Sequence, residues 1–66
     1  MNQNVMVVGL GLMGSALAKT LLENDYPVAV WNRTSSKTEP LVALGARAAL
    51  SVAEGVHESD TILLCL

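Results

Sequence analysis

Charge and cysteine are both scarce in this chain of 66 residues. Charged residues make up 15% and the net charge is −2, so neither nucleic acid nor an anionic membrane is expected as a partner. The single cysteine, Cys65, excludes an internal disulfide and fits a reducing compartment, and we expect a cytoplasmic location. Glycines interrupt the apolar stretch from Val5 to Ala18, so we expect neither a secretory signal nor a membrane-spanning helix.

The chain is instead rich in apolar residues, which make up 52% of it. Such a composition is too apolar for a disordered segment and implies a packed core. The stretch from Thr61 to Leu66 resembles a strand that is apolar on both faces, as strands inside a covered parallel sheet are. Because the chain stops on this strand, we expect it to be the N-terminal part of a longer protein.

Short β-branched runs alternate with helical segments along the chain. Strands are predicted at residues 5–8, 27–32, 46–48 and 61–66, and helices at residues 13–24, from about 36 to 44, and 51–59. The resulting order is βαβαβαβ with short loops, which predicts an α/β fold with a Rossmann-type parallel sheet.

The sequence also predicts which residues of the first helix share a face and where the helices begin or end. The helical spacing places five residues of the first helix on one face: Met13, Ala16, Leu17, Thr20 and Leu21. Asn24 tolerates left-handed geometry and is expected to end that helix. Ser36 with Glu39, and Ser51 with Glu54, have the spacing of capping boxes at the starts of the second and third helices.

A glycine-rich loop, residues 9–14, follows the first strand directly and opens the first helix. Its spacing is Gly-x-Gly-x-x-Gly, and this strand–loop–helix context is the one that dinucleotide-binding units require. Gly9 permits the tight turn, Gly11 lets a pyrophosphate approach the backbone, and Gly14 lets the helix pack closely on the strand. The amides around Leu12 and Met13 then face the phosphates at the positive end of the helix dipole.

The end of the second strand indicates which dinucleotide is bound. An NAD site usually has Asp or Glu there, about 20 residues after the loop, to bind the ribose 2′-hydroxyl. This chain has Asn32 followed by Arg33 and Thr34, with Lys37 nearby. Asn32 would not repel a 2′-phosphate, and the planar guanidinium of Arg33 pairs well with phosphate. The sequence therefore predicts a preference for NADPH.

Taken together, these segments resemble NADPH-dependent imine reductases of the β-hydroxyacid dehydrogenase superfamily, which includes 3-hydroxyisobutyrate and 6-phosphogluconate dehydrogenases. The resemblance spans essentially the whole chain and rests on its glycine loop, on the run Val-Trp-Asn-Arg-Thr with Lys37, and on the final Cys-Leu. Family members often have glycine where this chain has Asn24 and Asp25, and Pro40 is also unusual.

The resemblance implies hydride transfer from NADPH to the carbon of an imine, with residues 1–66 forming part of the NADP-binding domain. It assigns cofactor contacts to twelve residues: Gly9, Leu10, Gly11, Leu12, Met13, Gly14, Asn32, Arg33, Thr34, Lys37, Cys65 and Leu66. A helical C-terminal domain would follow and form a homodimer, and the proton donor would lie beyond Leu66, so no catalytic residue and no metal ligand is assigned here. An NADP-dependent β-hydroxyacid dehydrogenase acting on a keto or hydroxy acid, and a non-catalytic NADP-binding module, remain alternatives.

Overall fold

The architecture is a parallel sheet flanked by helices, in a computed structural model that describes residues 3–65. The elements in chain order are β1 (Val5–Val8), α1 (Leu12–Glu23), β2 (Val28–Trp31), a 3₁₀ turn (Ser35–Thr38), α2 (Glu39–Ala43), β3 (Arg47–Ala48), α3 (Val52–Glu58) and β4 (Thr61–Leu64). The predicted βαβαβαβ order and Rossmann-type sheet are confirmed. Within residues 3–65, no helix has the length and apolar character needed to cross a membrane.

The four strands lie in the order β3-β2-β1-β4, and all pairs are parallel. Val5 of β1 is in register with Val28 of β2 on one side and with Thr61 of β4 on the other. The chain therefore builds outward from β1 through β2 to β3 and then returns to add β4 on the opposite side of β1. This reversal creates a switch point between β1 and β4, the place where open α/β sheets bind ligands beyond the carboxyl ends of the strands.

Two apolar layers cover the two faces of the sheet, because successive strand side chains point to opposite faces. On one face the strands pack with α1 and α2 through a cluster of Val7, Leu10, Ala18, Val28, Val30, Leu41 and Ala46. On the other face the buried cluster is Met6, Val8 and Ala29, against which Val52 of α3 and Trp31 pack.

Of the five residues that helical spacing places on one face of α1, Leu21 packs partly against the core, but the fully buried residues of the helix are different ones. Gly14 and Ala18 are buried, whereas Met13 and Leu17 are exposed. Two small residues one turn apart let α1 lie close to the sheet, so close packing, rather than the largest apolar side chains, determines which face is buried. Asn24 does end the helix as its C-cap, but the left-handed residue is Asp25, with φ 64°.

The two predicted capping boxes have opposite outcomes. Ser51 caps α3 as predicted, because its side chain accepts a hydrogen bond from the Glu54 N–H at 3.1 Å. The box of Ser36 and Glu39 is wrong: Ser36 lies inside the 3₁₀ turn, Thr38 is the N-cap of α2, and no side chain caps that helix. The 3₁₀ turn already orders the backbone up to α2.

The last strand, β4, has apolar side chains on both faces, but only one of these faces packs within the described residues. β4 is the outermost strand of the described sheet, and its side chains alternate between half-buried and exposed. Ile62 and Leu64 are exposed, the latter by 67%, whereas Leu63 packs against the α1 side of the core. Leu66, the last residue of the predicted strand, lies outside the described residues.

Candidate functional site

The loops that follow β1, β2 and β4 meet at the carboxyl edge of the sheet. The Gly9 N–H donates to the Trp31 carbonyl at 2.9 Å, and the Cys65 N–H donates to the Val8 carbonyl at 2.8 Å. These bonds continue the parallel pairing just beyond the strands. They place the glycine loop, residues 9–14, at the switch point between β1 and β4.

Gly9 and Gly14 are required by the protein's own geometry. Gly9 has φ of 93°, a left-handed conformation that side chains rarely adopt. A Cβ on Gly14 would overlap the Gly9 carbonyl oxygen and would lie 3.2 Å from the Cβ of Cys65. The first turn of α1 is thus packed directly on the loop and on the end of β4, as the sequence predicted for these two glycines.

Gly11 differs from the other two glycines of the loop. It is the N-cap of α1, its backbone is extended with φ −68°, and a Cβ there would meet no described atom within 4 Å. Neither backbone conformation nor packing among the described residues requires glycine at this position. Glycine here leaves open space beside the start of α1, which is the space that a closely approaching phosphate needs.

The start of α1 is suited to hold an anion. No side chain caps it and no acidic residue lies in its first turn. The first helical backbone bond runs from the Ser15 N–H to the Gly11 carbonyl at 2.9 Å, so the preceding amides of the first turn lack helical partners. Leu12 and Met13 are 94% and 74% exposed, and the dipole of a 12-residue helix favours negative charge there.

The side chain, the N–H and the carbonyl of Leu10 all have partners within the protein. Its side chain is 3% exposed and belongs to the core beneath α1. Its N–H donates to Asn32 Oδ1 at 2.7 Å, and its carbonyl accepts from Ser15 Oγ at 3.1 Å. Leu10 therefore fixes the shape of the glycine loop, and its N–H is not available to a phosphate. The Ser15 contact was not foreseen, and a serine directly after the third glycine is the only sequence signal for it.

The arginine loop, residues 32–37, leaves the carboxyl end of β2 beside the glycine loop. Arg33, Thr34 and Lys37 are exposed, and the Lys37 N–H donates to the Thr34 carbonyl at 3.1 Å, which folds the loop back on itself. Both salt bridges found among the described residues belong to Arg47, not to Arg33 or Lys37. Among the described residues, neither cation is therefore paired with a carboxylate.

Asn32 lies between the two loops and bonds to each of them. Its Oδ1 accepts from the Leu10 N–H, and its Nδ2 donates to the Thr34 carbonyl at 3.1 Å. No carboxylate stands at this position, in agreement with the sequence argument for NADPH. The structure adds that the amide group of Asn32 is engaged within the protein.

Cys65 is half-buried beside Gly14, at the end of β4. Leu66 lies outside the described residues, and the cofactor contacts assigned to Cys65 and Leu66 stay predictions. The described chain contains no group of three or more His, Cys, Asp or Glu side chains that could hold a metal ion.

The perturbed pKa values belong to a different part of the molecule. Arg47 on β3 forms ion pairs with Glu54 at 2.8 Å and Glu58 at 3.3 Å, both on α3. The hydrogen bond from Arg47 lowers the pKa of Glu54, and the same bond raises the pKa of Arg47. A cleft of about 220 Å³ adjoins this cluster, beside Asn4 and Pro27 at the amino end of the sheet. It lies away from the glycine loop.

The fold and this edge of the sheet are those of a dinucleotide-binding domain. Residues 4–66 match the family described as the NAD binding domain of 6-phosphogluconate dehydrogenase, and the chain belongs to this family.

Among individual proteins, the chain is 47% identical over all its 66 residues to the NADPH-dependent reductive aminase of Aspergillus oryzae, of which it covers 22%. It superimposes with a TM-score of 0.96 and 42% identity on an imine reductase from a Pseudomonas species, covering 100% of this chain and 23% of that one. It is also 52% identical over 40 residues, 61% of the chain, to glyoxylate/succinic semialdehyde reductase 2 of Arabidopsis thaliana, of which it covers 11%. The resemblance to imine reductases is confirmed, and the chain spans less than a quarter of the length of each of these relatives.

Proposed function

We propose that residues 1–66 form the N-terminal part of the NADP-binding domain of an NADPH-dependent oxidoreductase that reduces imines to amines. The observation that carries the proposal is the uncapped start of α1, which opens onto the free space at Gly11 at the switch point of the sheet. A helical domain beyond this chain would complete the substrate site. A homodimer and a cytoplasmic location are part of the same proposal.

The residues present fit the two charged ends of NADPH in different ways. The pyrophosphate would sit over Gly11, bound by the amides of Leu12 and Met13 and favoured by the dipole of α1. The 2′-phosphate would lie on the arginine loop, where Arg33 and Lys37 supply positive charge and Thr34 a hydroxyl.

The remaining assigned residues shape the site. Gly9, Gly14 and Leu10 set the path of the glycine loop, and Asn32 joins it to the arginine loop. Cys65 and Leu66 would border the cofactor between its ribose and its nicotinamide.

The chemistry that NADPH supplies when bound is a hydride. The role of this chain would be to hold and orient NADPH, the hydride donor. We assign no proton transfer to any of these residues. The preference for an imine over a carbonyl substrate is supported by the 47% identity to a reductive aminase and by the close superposition on an imine reductase. An aldehyde or keto acid substrate is the second candidate, supported by the identity to the semialdehyde reductase over 40 residues.

The cofactor assignment is tested with Arg33→Ala in the full-length protein. Loss of one charge-assisted contact should weaken NADPH binding by about 1.5–3 kcal/mol, roughly tenfold to a hundredfold. NADH binding should stay nearly the same, because NADH has no 2′-phosphate. Lys19→Ala is the matched control, since it removes one positive charge from an exposed position on α1 away from the arginine loop. Equal losses for NADPH and NADH would contradict the assignment.

The substrate assignment is tested by the rate of NADPH oxidation by the full-length protein. A cyclic imine should be reduced, and a panel of keto acids and succinic semialdehyde should react slowly. The reverse order would favour the β-hydroxyacid dehydrogenase alternative. Tight NADPH binding without turnover of any of these compounds would favour a non-catalytic NADP-binding module.

A further inference from the structure

The amide group of Asn32 bridges the two loops that the proposed function assigns to the two phosphates of NADPH. On one side its Oδ1 accepts from the Leu10 N–H in the glycine loop at 2.7 Å. On the other side its Nδ2 donates to the Thr34 carbonyl in the arginine loop at 3.1 Å. The orientation of the amide follows from its partners, because only oxygen can accept from an N–H and only nitrogen can donate to a carbonyl.

The bridge continues beyond Leu10 into α1. The Leu10 carbonyl accepts from Ser15 Oγ at 3.1 Å, and the side chain of Leu10 is buried in the core. The peptide unit of Leu10 therefore cannot shift without breaking a bond or exposing an apolar side chain. One end of the bridge is thus fixed to the rigid part of the domain, and the other end holds the exposed arginine loop.

Among the described residues, Asn32 makes the side-chain hydrogen bonds that join the start of the arginine loop to the glycine loop. Arg33 and Thr34 are exposed, and the Lys37 N–H bonds back to Thr34 within the loop itself. Of the two groups that donate to the Thr34 carbonyl, Asn32 Nδ2 is the one whose side chain also bonds to the glycine loop, so it helps to set the direction in which Arg33 leaves the strand. An aspartate at position 32 would keep the acceptor for Leu10 and lose this donor.

We propose that Asn32 is a positioning residue that couples the arginine loop to the glycine loop, and that it favours a 2′-phosphorylated dinucleotide through Arg33 rather than by contact with the 2′-phosphate. This inference rests on the proposed NADPH function. It differs from the family-based assignment of Asn32 as a direct cofactor contact, because it gives the role to the bonds that the amide makes to Leu10 and Thr34.

The first test is a double-mutant cycle of Asn32→Ala and Arg33→Ala in the full-length protein. Calorimetry measures the affinity for adenosine 2′,5′-bisphosphate, with 5′-AMP as the probe that lacks the 2′-phosphate. Asn32→Ala alone should weaken the bisphosphate by about threefold to tenfold, the effect of one lost hydrogen bond, and 5′-AMP by less. When Arg33→Ala is already present, Asn32→Ala should weaken binding of the bisphosphate by less than about twofold, because Asn32 acts through Arg33.

The second test is amide hydrogen exchange at Leu10, which does not depend on any ligand. The Leu10 amide should exchange faster in Asn32→Ala and remain protected in Asn32→Asp, which retains the acceptor. Asn24→Ala is the matched control, because the Asn24 side chain makes a local hydrogen bond to the Thr20 carbonyl at 2.8 Å, outside both loops. That variant should leave both Leu10 exchange and bisphosphate affinity unchanged.

The outcomes separate the two proposals. If the unmodified protein binds adenosine 2′,5′-bisphosphate no better than 5′-AMP, the NADPH assignment and the coupling role both fail. If the unmodified protein does prefer the bisphosphate but the two substitutions are additive, Asn32 acts independently of Arg33 and only the coupling role is overturned. Unchanged Leu10 exchange in Asn32→Ala would likewise overturn the bridge alone.

Discussion

Gly14→Ala perturbs the closest backbone approach within the site without changing any charge. The added methyl group would overlap the Gly9 carbonyl oxygen and come within 3.1 Å of the Gly9 carbonyl carbon. A flexible side chain could turn away from such a contact, but Gly9 meets Gly14 through its backbone. The overlap can therefore be removed only if α1 moves away from the end of β1 or if the turn at Gly9 changes its shape.

Two opposing effects set the size of the change in stability. Overpacking in a close-packed interior costs about 1–3 kcal/mol. Alanine is favoured over glycine in the interior of a helix by at most about 1 kcal/mol, and by less at the start of a helix, where Gly14 lies. The overlap should therefore dominate, and we expect Gly14→Ala to lower the free energy of unfolding by about 1–2 kcal/mol.

Urea unfolding of the full-length protein measures this change. The urea concentration at the midpoint of unfolding should fall, while the slope of the unfolding free energy against urea concentration stays the same. An unchanged slope separates a change in stability from a change in the denatured state. NADPH binding should weaken too, because the glycine loop is displaced together with α1. A variant as stable as the parent would refute the close packing of Gly14 on Gly9.

Gly11→Ser is the matched control within the same loop. A Cβ at Gly11 meets no described atom within 4 Å, and serine is a favourable N-cap residue, so stability should be unchanged or slightly raised. NADPH binding should nevertheless fall, because the new side chain occupies the space proposed for the pyrophosphate and competes for the free amides. Unimpaired NADPH binding in this variant would place the pyrophosphate elsewhere.

Two further expectations concern α3 and its ion pairs. Ser51→Ala removes the hydrogen bond that Ser51 accepts from the Glu54 N–H, and should lower the free energy of unfolding by about 1 kcal/mol in thermal or urea melts, whereas Ser51→Asp should retain most of it. The pKa of Glu54 is held below its ordinary value of 4.5, mainly by the hydrogen bond from Arg47. Its contribution to stability is therefore present above pH 4.5 and is lost as the pH falls through the lowered value. Between about pH 6 and about pH 3, the urea midpoint should fall further for the parent than for Glu54→Gln. An equal fall in both proteins would show that the ion pair of Glu54 and Arg47 contributes nothing to the acid dependence of stability.

Much of this fold could be predicted because its signals are local. The runs of valine mark β1 and β2, and a capping serine and a glycine mark the start of α3 and the end of α2. The glycine loop was recognisable because its spacing joins a strand to a helix. The absence of a carboxylate at position 32 is likewise visible in the sequence alone.

The sequence could not show which residues are buried and which strands pair, because both depend on residues that are far apart along the chain. Helical spacing placed Met13 and Leu17 on one apolar face of α1, but both are exposed, and Gly14 and Ala18 are buried instead because small side chains let α1 lie close to the sheet. The sequence likewise did not show that β4 pairs with β1 rather than with β3, which follows from the order of the strands in the sheet.

The sequence by itself determined the order of the elements, the position of the glycine loop and the character of the arginine loop, since each depends on neighbouring residues. The tertiary structure alone decided which atoms Gly14 packs against and that Gly11 borders open space. It also decided that the Asn32 amide joins two loops, because Leu10 is 22 residues away along the chain. Pairing the parallel strands β1 and β2 brings these residues within hydrogen-bonding distance.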